Sequence, residues 1–88
     1  MLADYKEITI YEVEKLQLLF LELLVNAESL EVDMQSIKKI DMVGIQLLLS
    51  LVKTAESESK KVSFTNIANN VLSMIKQAHC EKKLGLDV

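Results

Sequence analysis

His79 and Cys80 are the only histidine and the only cysteine of the chain, and they are adjacent. A thiol beside an imidazole suggests a nucleophile or a pair of metal ligands. A closed zinc site takes about four ligands, and no second His or Cys is present to build one. Catalytic Cys–His pairs are neighbours in space, and adjacent residues at a helix end rarely supply that geometry. The plainer reading is a His at a helix C-terminus, favoured by the dipole, and a small packing Cys. Glu56, Glu58 and the carboxylates of the first helical segment fall at loop and surface positions, where a solvated state is expected. No Gly-rich phosphate loop and no Ser-His-Asp ordering occurs. The expectation is a chain without catalytic residues, metal or cofactor.

The more specific feature is Asp41-Met42-Val43-Gly44. An Asp ahead of a helix can accept backbone N–H groups and complement the positive end of the helix dipole. A Gly there permits close approach of another backbone. That backbone could belong to a partner or to a neighbouring strand, and the Asp could be no more than a cap.

Elements of alternating type must position this turn. Glu7–Ile10 reads as a strand, with Ile8 and Ile10 on one face. Glu12–Glu28 reads as a helix whose Val13, Leu16, Phe20, Leu23, Leu24 and Ala27 form a core stripe. Leu18, Leu21 and Val25 make a second apolar line on it. That line either packs beneath a sheet edge or the tail, or is an exposed patch for a partner or a homodimer. Leu30–Met34 alternates as a strand, and residues 35–40 form a connection. A helix over 43–57 turns Ile45, Leu48, Leu51, Val52 and Ala55 inward, leaving Gln46, Leu47 and Ser50 for an exposed binding face. Lys61–Thr65 is a strand and Ala68–His79 a helix, with Leu84 and Leu86 tucking back. The order is β-α-β-α-β-α. Strands joined through helices run parallel, so the fold expected is a small α/β layer structure with a mainly parallel sheet.

Eighty-eight residues make one domain, here spanning 1–88, and with 50% apolar residues a core forms without staples. The net charge is −3, and Lys38-Lys39, Lys60-Lys61 and Lys82-Lys83 are isolated pairs. That pattern lacks the basic footprint of nucleic-acid binding. A lone Cys fits a reducing compartment. The N-terminus lacks a signal-peptide layout, and Leu16–Val25 is interrupted by Gln17 and Glu22 and too short for a membrane span. A cytoplasmic protein without direct membrane insertion is expected.

The run from Leu30 through Ile40-Asp41-Met42-Val43-Gly44 to Leu49 resembles the STAS (anti-sigma factor antagonist-like) family. There a strand leads to an apolar-Asp-(Ser/Thr)-x-Gly turn and an aliphatic helix. Phe64-Thr65-Asn66-Ile67-Ala68-Asn69-Asn70-Val71-Leu72 is similar to that family's third-strand-to-helix segment, and Leu84-Gly85-Leu86 to its ending. The resemblance covers about residues 7–86. The short N-terminus is similar to abbreviated members, among them the STAS subunit of phospholipid ABC transporters and chemotaxis-linked proteins. The resemblance implies a bacterial regulatory module that binds a protein at Asp41, Met42, Val43, Gly44, Gln46, Leu47 and Ser50. It implies as partner an ATP-binding regulator: an anti-sigma-type kinase, a signalling protein or a transporter ATPase. Many members carry a phosphorylated Ser or Thr between this Asp and Gly. Met42 and Val43 have no hydroxyl, and Ser36 and Ser50, the nearest, lie outside that position.

Overall fold

The computed structural model describes residues 2–86. The elements are β1 (Glu7–Ile8), α1 (Val13–Val25), β2 (Ser29–Asp33), β3 (Lys39–Ile40), α2 (Met42–Ser57), β4 (Lys61–Thr65) and α3 (Asn69–Gln77). All strand pairs are parallel: β1 with β3, and β2 with β4. The α/β class expected from the sequence is therefore the observed one. Two details differ. The connection 35–40 contains a short strand, β3. The first strand stops at Ile8: Thr9 is buried and Ile10 faces solvent, the reverse of period-two alternation. The reason is a turn. Glu12 N donates to the Thr9 carbonyl at 2.9 Å, and the Thr9 hydroxyl donates to Glu7 Oε1 at 2.6 Å.

Alternation in β2 and β4 explains the main sheet. Leu30, Val32 and Phe64 are buried on one face, while Ser29, Glu31, Asp33, Lys61 and Ser63 face water on the other. α1 and α2 cover the apolar face and pack on each other, and α3 lies against β3. Leu16, Phe20 and Leu24 of α1 meet Ile45, Leu48 and Leu51 of α2 in a core that also takes Leu84 from the tail. Asp33 Oδ1 ties the sheet end together, accepting from Gln35 N at 2.9 Å and from Asn66 Nδ2 at 3.2 Å. Asn66 sits in the left-handed region, which Asn tolerates better than most residues. Lys60, from the α2–β4 loop, donates to the Leu24 carbonyl at 2.6 Å and so caps the end of α1.

Two helices end in the same way. After α2, Ser59 N donates to Glu56 O and Lys60 N to Ala55 O; after α3, His79 N donates to Lys76 O and Cys80 N to Ile75 O. Both are Schellman closures, and the residue at the left-handed position is Ser59 (φ 59°) in one and His79 (φ 57°) in the other. His79 thus serves as a helix terminator, and Cys80 beside it is buried. Glycine is the favoured residue at such positions. Ser59→Gly and His79→Gly should each raise unfolding free energy by about 0.5–1 kcal/mol in urea titrations. No gain at either position would contradict the assignment.

Candidate functional site

The turn at Asp41 is built by three polypeptide segments. Asp41 is the N-cap of α2, and its Oδ1 accepts from Gly44 N at 2.8 Å. Its Oδ2 accepts from Ile10 N, in the β1–α1 loop, at 3.0 Å. Its own N–H donates to the Ile8 carbonyl at 3.4 Å. Both carboxylate oxygens are therefore engaged by backbone donors from opposite sides of the turn. The α2 terminus gains a cap, and the loop after β1 gains an anchor 31 residues away in sequence.

Gly44 is buried, and the backbone that approaches it belongs to the molecule's own β1. A Cβ at position 44 would overlap the Ile8 carbonyl oxygen and lie 2.7 Å from the carbonyl carbon. The strand cannot withdraw without breaking its pairing with β3. Gly44 is thus required by the fold and offers no surface to a partner.

The remaining expected site residues divide by burial. Met42 is 51% exposed at the first position of α2. Gln46 and Ser50 are exposed at four-residue steps after it, so the three form one ridge along α2. Gln46 and Ser50 also border a depression of about 550 Å³ with Leu49, Val52, Lys53, Glu56 and Lys83. Asp41 and Val43 are half-buried. Leu47 corrects the expectation of an exposed face: it is only 7% exposed and belongs to the core. It lines the seam between α1 and α2 with Phe20 and Leu21, because α2 is covered by β1 on one side and by α1 on another. A helix packed on two sides needs a wider apolar stripe than a single period-3.6 line indicates.

Two residues at the turn escape a reading by periodicity. Ile10 is exposed, and Tyr11 beside it is 82% exposed. The Ile10–Asp41 hydrogen bond brings their loop to the head of α2, next to Met42 in sequence. Three large apolar side chains thus lie exposed on the two segments joined by the Asp41 carboxylate. The available signal was Tyr11 itself, an aromatic residue immediately before a helix cap. Leu18, Leu21 and Val25 are also exposed, so among the described residues neither a sheet edge nor the tail covers them. Ser36, the nearest hydroxyl before the turn, donates to the Leu2 carbonyl at 2.7 Å and ties down the N-terminal segment. Among the described residues, no group of three or more His, Cys, Asp or Glu gathers to hold a metal ion. No helix among them is long and apolar enough to cross a membrane.

Residues 6–86 match the family model described as "Mlab, STAS domain". The chain belongs to the STAS domain family, whose members are generally binding modules without enzymatic activity. A search of curated proteins found no match.

The double role of Asp41 sets a measurable hierarchy. Asp41→Ala removes a cap and the loop anchor and should cost about 2 kcal/mol of stability, of which the cap alone contributes about 1. Asp41→Ser keeps a capping oxygen but has a single acceptor, so it should recover only part of that loss. Gly44→Ala should be worse than either, about 3 kcal/mol or more, because two backbones must separate. Thermal unfolding that ranks Gly44→Ala as milder than Asp41→Ser would contradict this geometry.

Proposed function

We propose that this STAS domain is a regulatory protein–protein interaction module of the anti-sigma factor antagonist type, without catalytic activity of its own. It binds its partner through the rim of Ile10, Tyr11 and Met42 around Asp41, continued along α2 by Gln46 and Ser50. The observation that carries the reading is the exposure of those three large apolar side chains on the two segments joined at Asp41, whose carboxylate oxygens are both engaged by backbone N–H groups. Aromatic and Met side chains held on a fixed frame are favoured interface anchors. By family resemblance the partner is an ATP-binding regulator in the cytoplasm, either an anti-sigma-type kinase or another signalling protein.

Binding at this rim is not switched by phosphate at the family position, because Met42 stands there. That residue favours a second reading, an accessory STAS subunit held on the ATPase of a phospholipid ABC transporter. A permanent subunit gains from an apolar contact and has no need of a hydroxyl.

Affinity capture from the source cell separates the two readings. A histidine-kinase-like or chemotaxis protein supports the first and a transporter ATPase the second. With the captured protein purified, the Tyr11→Ser, Met42→Ser double variant should bind about 30-fold more weakly or worse, the size of a hot-spot loss. Both side chains are exposed, so its circular dichroism and thermal midpoint should stay near wild type. Undiminished binding by a folded double variant would refute the rim as the contact.

A further inference from the structure

α1 is apolar on two sides, and the described residues cover only one of them. Nine of its thirteen residues are apolar. Leu16, Phe20 and Leu24 are buried, whereas Leu18, Leu21 and Val25 are 70%, 41% and 71% exposed. At about 100° per residue, the exposed line lies roughly 130° around the helix from the buried one. A helix that is apolar around most of its circumference is ordinarily buried around most of it. The steps of three and four residues from Leu18 to Leu21 to Val25 are those of a helix–helix seam.

The charges beside this line indicate what covers it. Lys15 and Glu22 are seven residues apart and flank the seam on the same side. Among the described residues neither has an ion-pair partner within the molecule. The opposite flank is polar and uncharged, with Gln17 of α1 and Ser50 and Thr54 of α2 across a shallow groove, and the exposed Glu14, in line with Leu18, Leu21 and Val25, ends the apolar strip on its N-terminal side. A two-fold axis perpendicular to α1 would bring two copies together antiparallel, with each flank facing its own counterpart. Leu18 then lies beside the partner's Leu21, and Lys15 comes within reach of the partner's Glu22. Symmetry repeats that charge pair. A parallel pairing would set Lys15 and Glu22 against the uncharged flank and lose it.

We propose that the Leu18–Leu21–Val25 face of α1 is a homodimer interface, formed by antiparallel pairing with a second copy and fixed in register by reciprocal Lys15–Glu22 pairs. The covered strip is short, so the dimer is a weak one, with a dissociation constant on the order of 10 µM. The rim at Asp41 is a separate surface, and this association does not depend on it.

Sedimentation equilibrium of the 88-residue chain from about 1 to about 300 µM tests the proposal. Wild type should pass from monomer to dimer across that range. Leu18→Glu should remain monomeric with unchanged circular dichroism; its side chain is the less embedded of the two central leucines, so the fold is kept. Lys15→Glu and Glu22→Lys should each weaken the dimer about fivefold or more, and the combined swap should restore it. A chain monomeric throughout the range overturns the proposal. So does a dimer indifferent to Leu18→Glu, or single-charge losses that the combined swap fails to repair.

Discussion

The Asp41 carboxylate, with two backbone donors from different parts of the chain, is the interaction on which the arrangement of the site depends. One oxygen closes the start of α2 and the other holds the loop that follows β1. Between them the Ile8 carbonyl lies against Gly44, at a separation only a glycine permits. Each feature requires the other two. If the strand moved away from Gly44, Ile10 N would leave Asp41. If the cap were lost, Gly44 N would lose its acceptor and the start of α2 would be held beneath β1 only by the packing of buried Ile45 and Leu48. A charge-assisted hydrogen bond to backbone N–H is among the stronger contacts available at the edge of a small core.

This arrangement has a consequence for binding. Each carboxylate oxygen already holds a backbone N–H, and the exposed side chains on the joined segments are the largely apolar Ile10, Tyr11 and Met42. The loop bearing two of them is anchored to Asp41 within the domain itself, so a partner binding at the proposed rim would lose little ordering entropy there. In family members with a hydroxyl after the Asp, a phosphate would add charge at this same point. Here the corresponding side chain is a thioether, adaptable in shape and without charge. The frame is retained while the chemistry presented on it is different.

Much of this was legible in the sequence. Alternation in Leu30–Met34 and Lys61–Thr65 and the helical stripes of the three long segments were sufficient for the α/β class, because each element has one dominant period. The Asp-x-x-Gly spacing located the cap. What escaped were consequences of contacts between elements. Strand β3 is two residues long and exists only because β1 lies beside it. Thr9 and Ile10 exchange places because a turn interrupts the strand. Leu47 is buried because α2 meets α1 as well as the sheet side. The exposure of Tyr11 follows from the direction in which the anchored loop points, and no pattern within residues 7–12 encodes that direction. The second apolar line on α1 was visible, but only the packed structure shows that nothing within the described residues covers it.

Two surfaces therefore stand on opposite logic: a rim fixed by Asp41 and a helix face left over after the core is filled. The most direct test of the central claim is backbone hydrogen exchange of the domain, free and in complex with the protein it captures. Slowed exchange on binding should concentrate at residues 9–12 and 41–46, with the polar outer face of β2 and β4 unchanged. Protection confined to that outer face, with residues 9–12 and 41–46 exchanging as in the free domain, would contradict the account.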